Sequence, residues 1–183
     1  MTRIIFIAIL FMSIKLQAQT TVLFNPQNNN VKDAWIWSYD PFENINFGES
    51  NASNSGLNNV IRSECWEWGT PNDTIRGLLG FDFSSIPSGA NIIDAKLSLF
   101  YFANPGFTMQ TGDNELLVQR INQNWSETGI VWTNQPTVST TNQVTVPAST
   151  SSTQDYLDIN VTNLVQDMIG NPESSDGFMF KML

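Results

Sequence analysis

Hydrophobic and polar residues alternate along much of this chain. In KLSLFYF (96–102), ELLVQRI (115–121) and NQVTVP (142–147), apolar side chains recur at about every second position. That is the period of a half-buried strand. The turn-rich stretches NPQNNN, SNASNSG and SIPSGAN punctuate the chain. Many short strands set between Asn, Gly and Pro turns predict an all-β sandwich or barrel. GFMFKML, at 177–183, puts Phe178, Phe180 and Met182 on one face, so a further half-buried strand is expected there. One segment departs from this period. In NVTNLVQDMIG, the residues Val161, Leu164, Val165, Met168 and Ile169 form the stripe of a short helix over 161–169. Thr162 or Asn160 can cap its start, and Gly170 can end it. The Ser/Thr-rich stretch near 139–153 reads as a solvated loop.

The stretch DAWIWSYDP (33–41) raises the functional question. Trp35, Trp37 and Tyr39 alternate with Ile36 and Ser38, so all three rings share one face of an extended strand. Trp66 and Trp68 in CWEWG share a face in the same way, opposite Cys65 and Glu67. Such a face looks either into a core or out at a ligand.

The N-terminus adds a compartment. An apolar run of 11 residues, Ile4 to Ile14, is broken only by Ser13 and preceded by Arg3. It is too short to span a bilayer, which takes roughly 20 residues, and it has the form of a secretory signal. Cleavage is expected after Ala18, with Leu16 and Ala18 at the cleavage positions, leaving a secreted domain over 19–183 that has no other apolar run. Six basic residues then face 17 acidic ones, and that surface repels phosphate backbones, which argues against a nucleic-acid partner. Cys65 is the sole cysteine, so no internal disulfide forms, and an inert thiol is its simplest reading.

Catalytic chemistry is sparse. The chain has no histidine, which removes Ser-His-Asp and Cys-His arrangements and histidine metal ligands. A pair of carboxylates, Glu64 with Glu67 or Glu67 with Glu127, would suffice for a glycosidase, but nothing sets either pair apart among the 17 acids. The oxygen-rich turns at 40–46 and 113–115 could hold one structural calcium. Ordinary turn chemistry explains their Asn and Asp residues equally well.

Four segments, in this order and spacing, carry a family likeness: RGLLGFDFSSIPSGANIIDAKLSLFYF (76–102), NWSETGIVWTNQP (124–136), LDINVTNLVQDMI (157–169) and DGFMFK (176–181). Together with DAWIWSYDPFENINFG at the start, they resemble the DNRLRE-domain proteins grouped with carbohydrate-binding module family 96. The likeness spans about residues 30–183, with FDFSSIP and WSETGIVWTNQP its most specific parts. It implies a jelly-roll-type β-sandwich that is secreted, non-catalytic and a holder of polysaccharide, alginate among its ligands, and often part of a longer surface protein. Similar proteins continue with strands beyond GFMFK, so an open sheet edge is expected near 177–183. The likeness also implies that Ala34 and Ile36 face inward. Trp35, Trp37 and Tyr39 would then project outward, with Trp66 and Trp68 near them, as a platform for sugar rings. Phe81, Leu97 and Leu99 are expected in the core, with Trp125 and Trp132 as its wall and lid. The six scattered bases predict weak binding of a polyanion such as alginate at physiological salt. The alternative function is a structural or adhesive module whose aromatic patch packs on a neighbouring domain or subunit.

Overall fold

The computed structural model describes residues 19–24, 31–48, 60–66, 73–103, 110 and 112–183. The segment expected to be a signal, Glu67 and Trp68 lie outside these. Among the described residues nine strands and one α-helix follow in chain order: β1 Val31–Trp37, β2 Phe47–Gly48, β3 Glu64–Trp66, β4 Asp73–Phe81, β5 Lys96–Leu99, β6 Leu116–Ile121, β7 Val138–Val146, β8 Tyr156–Asn160, α1 Thr162–Gly170 and β9 Phe178–Met182. The large sheet has the order β2-β1-β4-β9-β6-β7, and β3 also pairs with β4. β3 and β9 lie end to end along one side of β4, at residues 73–75 and 77–79. β5 and β8 form a second, two-stranded sheet. Every pairing is antiparallel, so the fold is the expected all-β sandwich with one short helix.

Register decides which side chains share a face. Trp35, Gly77, Phe180 and Val118 line up across four strands, as do Asp33, Leu79, Phe178 and Arg120. On this face Leu79, Val118, Phe178 and Phe180 pack against Leu164, Val165, Met168 and Ile169 of α1. Leu97, Leu99, Tyr156 and Ile159 of the small sheet close over the same core, and Phe81 packs against it. The helix stripe read from the sequence is therefore the stripe that is buried, and Asn160 Oδ1 accepts from the Thr162 N–H at 3.0 Å where the helix starts.

The opposite face is covered as well. Ala34, Ile36, Leu78, Ile121 and Met179 form a second core beneath Trp125 and Ile130, with Trp132 and Val138 packed against it. The connection between β6 and β7 supplies this cover. Lys32 holds it down: its Nζ bonds Asp176 at 2.6 Å and the Trp125 carbonyl at 2.7 Å, and lies 4.5 Å from the Trp125 ring centroid. Trp125 in turn donates its backbone and indole N–H groups to Asp176, each at 2.9 Å.

Three expectations need correction. β9 is not an open edge: it lies between β4 and β6 and hydrogen-bonds to both. Phe178, Met179 and Phe180 are all buried, because each of the two sheet faces has its own cover there. Residues 139–146 are strand, as the alternation in 142–147 predicts and the loop reading of 139–153 does not. β7 lies at the margin of the sheet, so most of its residues stay exposed and polar ones are tolerated. β5 stops at Leu99, leaving Phe100 and Phe102 exposed.

Candidate functional site

β1 carries the aromatic row. Trp35 and Trp37 point to the face opposite Ala34 and Ile36, as alternation requires. Ring centroids lie 6.4 Å apart for Trp35 and Trp37, and 5.6 Å apart for Trp37 and Tyr39. The row shares its sheet face with the main sandwich core and is separated from it at Gly77. A Cβ at residue 77 would meet the Arg62 carbonyl oxygen at 2.9 Å and overlap the Ile61 side chain. Only glycine lets the segment before β3 cross this close to the sheet.

That crossing segment brings Arg62 over the Trp35 ring, 4.8 Å from its centroid. Phe47 of β2 stacks on Trp35 at 3.8 Å and 12°. Two groups so near one ring centre occupy its two faces, and Trp35 is only 5% exposed. Trp37 is half-buried and stacks on Phe42 at 4.6 Å and 8°. Phe42 opens the 3-10 turn Phe42–Asn44, which folds the chain after β1 back over its rings. Tyr39 stands at the rim, 36% exposed and 5.9 Å from Phe42. The outward platform thus takes a different form. The rings share a face, but Trp35 is enclosed, Trp37 is half-buried against Phe42, and Tyr39 is the ring of the three most open to solvent.

β2 is pinned so that Phe47 can reach Trp35. Asn46 Nδ2 donates to the carbonyls of Glu127 and Ile130, at 2.8 and 2.7 Å, while its Oδ1 accepts from the Gly48 N–H at 3.2 Å. A Cβ on Gly48 would overlap the Glu127 carbonyl. The Asn-Phe-Gly of residues 46–48 is thereby explained. Glu127, considered as half of a hydrolytic pair, accepts the Asp33 N–H at 2.9 Å; its carboxylate anchors a loop.

Trp66 ends β3 directly beside Asp73 of β4. Beyond the end of β1, Ser38 N donates to the Thr74 carbonyl at 3.0 Å. The Thr74 N–H donates to Ser38 Oγ at 2.9 Å, so the ladder gives way to a side-chain bond just beyond β1, and Tyr39 stands past its end. Asp73 is 2% exposed, and its Oδ2 has no hydrogen-bond partner among the described residues. Trp68 lies outside the described residues. Cys65 is exposed. No group of three or more carboxylate or thiol side chains capable of holding a metal occurs among the described residues.

The ion pairs near the rings could have been found by spacing. Arg62 and Glu64 are two apart, hence on one face, and they pair twice: Nε to Oε1 at 2.6 Å and Nη2 to Oε2 at 2.9 Å. On the opposite face Arg76 lies over the Trp132 ring, 4.6 Å from its centroid. Burial holds its guanidinium below the usual pKa. Phe42, Phe47, Arg62 and Arg76 had no role in the sequence reading, since their contacts come from turns and long-range pairing.

The family profile of carbohydrate-binding module family 96 matches residues 24–180, from before β1 into β9. This chain belongs to that family. No curated protein sequence matches it. The matched span of the module contains both cores, the aromatic row and both arginine–tryptophan pairs. Among its described residues, no helix is long and apolar enough to cross a membrane.

Proposed function

We propose that this module is secreted and non-catalytic, and that it holds polysaccharide at the rim formed by Tyr39, Trp37 and Phe42. The observation that carries the reading is the exposure of Tyr39 at the end of a stacked series of aromatic rings, in a chain of a carbohydrate-binding family. A ring face supplies apolar contact to a sugar, and few polar groups are needed to orient it. Trp35 supports the series from beneath. Trp66 and Trp68 remain candidate contacts, because β3 pairs with β4 at Asp73–Ile75, and Ile75 also pairs with Trp37 of β1. The acidic surface favours an uncharged or mildly acidic chain over a polyanion.

Titration of polysaccharides against tryptophan fluorescence tests this reading. Quenching by at least one neutral polymer, weakened in Tyr39→Ala at an unchanged melting temperature, is the expected outcome. Equal binding by Tyr39→Ala would place the ligand elsewhere. A structural or adhesive role is the second reading, favoured by Phe100 and Leu157, which are 72% and 59% exposed on or beside the small sheet. In that case no polysaccharide changes the fluorescence, and Phe100→Ser changes association with a neighbouring domain or subunit.

A further inference from the structure

Arg76 projects from β4 on the face away from the ring row, opposite Ile36 in the β1–β4 ladder. Its guanidinium rests on the ring of Trp132, the first residue of the 3-10 turn Trp132–Asn134. One Nη donates to Gln135 Oε1. The Gln135 amide donates onward to the Trp132 carbonyl at 3.1 Å. The turn is therefore a holder shaped around one arginine.

The holder lacks a counter-charge. Guanidinium keeps its proton in proteins, so a full positive charge stands half-buried here. Its Nε is buried without a hydrogen-bond partner among the described residues. No carboxylate pairs with Arg76 among the described residues, whereas Lys32, Arg62 and Lys96 each have one. One amide oxygen and one ring face satisfy only part of a five-donor fork. Leaving a cation half-desolvated and uncompensated is unfavourable, and an oxyanion is the group that its planar fork best accepts.

Net charge narrows the ligand. With a formal charge of −9 over the chain, a polymer charged on each ring is repelled as a whole. A mostly neutral chain with isolated acidic groups meets little of that repulsion and can still bring one oxyanion to Arg76. We propose that Arg76, propped on Trp132 and Gln135, is an oxyanion subsite that selects polysaccharides carrying carboxylate or sulfate groups at wide spacing. The proposal rests on the family's carbohydrate binding and is independent of the Tyr39 rim.

The test compares four polymers by affinity electrophoresis and calorimetry: a neutral xylan, a glucuronoxylan with isolated glucuronates, a sparsely sulfated galactan, and alginate. The wild-type chain should bind the glucuronoxylan or the sulfated galactan about tenfold more tightly than xylan and more tightly than alginate. Which of the two wins identifies carboxylate or sulfate. The advantage should shrink as salt rises. Arg76→Gln should reduce the preferred polymer to the level of xylan and leave xylan binding unchanged. Arg76→Lys keeps the charge but not the fork, so it should retain only part of the preference; it serves alone if Arg76→Gln does not fold. A preference that survives in Arg76→Gln overturns the proposal, as does equal wild-type affinity for xylan and both sparsely charged polymers. Loss of melting temperature alone, with the preference intact, makes Arg76 structural and overturns it too. If neutral polymers bind through Tyr39 while acidic ones gain nothing, only this proposal fails. If no polymer binds, both readings fail.

Discussion

Two arginines in this molecule lie over tryptophan rings at nearly the same distance, 4.8 Å for Arg62 on Trp35 and 4.6 Å for Arg76 on Trp132. Their surroundings differ in two respects. Arg62 is held twice by Glu64, with side-chain exposures of 11% and 24%, and its tryptophan is sealed beneath Phe47. Arg76 has an amide oxygen in place of a carboxylate, and its tryptophan is only half-buried. The cation–ring contact is common to both, so it cannot itself separate structure from binding. The counter-charge does. A paired arginine closes over a ring and becomes part of the wall; an unpaired one remains available to an anion from outside.

Substitutions can break this contrast in graded steps. Trp35→Ala should be the most damaging, destabilising by roughly 3–5 kcal/mol as for other buried aromatics, seen as a large drop in the denaturation midpoint. Trp132→Ala should cost clearly less, because its ring is half in solvent. Next comes Glu64→Gln, which leaves Arg62 poorly matched and should cost about 1–3 kcal/mol. Arg76→Gln removes no counter-charge and should cost less than about 1 kcal/mol in the same assay. Equal losses from Glu64→Gln and Arg76→Gln would erase the distinction drawn here. Tyr39→Ala should change stability least, within about 0.5 kcal/mol. It should still weaken neutral polysaccharide about two- to tenfold, the size of one aromatic contact.

Alternation in DAWIWSYDP correctly separated Trp35 and Trp37 from Ala34 and Ile36. The inference from separation to exposure failed, because it assumed a sheet buried on one face only. Here both faces are covered, one by the small sheet and α1, the other by the chain between β6 and β7. Phe42 and Phe47, which cover Trp37 and Trp35, sit in a turn and a two-residue strand, where periodicity carries no signal. Trp37→Ala is accordingly expected to lower the melting temperature as well as weaken binding. The helix at 162–170 was legible because its stripe is local in sequence. So was the strand at 178–182, but its neighbours, β4 and β6, lie far back along the chain. Nothing in GFMFKML reveals that it is flanked on both sides. β7 was obscured by composition: Ser, Thr and Asn suit an exposed marginal strand as well as a loop. Asn142, with φ 58°, sits within that strand and bonds Asp167 of α1 at 2.9 Å.

The position of β9 bears on how the molecule comes to be folded at all. Without Phe178–Met182, the large sheet is two separate ribbons, β2-β1-β4 and β6-β7. Until β9 docks, each ribbon can form but the two cannot be joined into one sheet. Both present unpaired backbone along the edge that β9 will later fill. The final zipper must close against residues about a hundred positions upstream at β4. Such non-local closure puts the rate-limiting step late and slow. Until then, the half-built sheet exposes a slot shaped for one particular strand, and any other extended segment that reaches it first is a competitor.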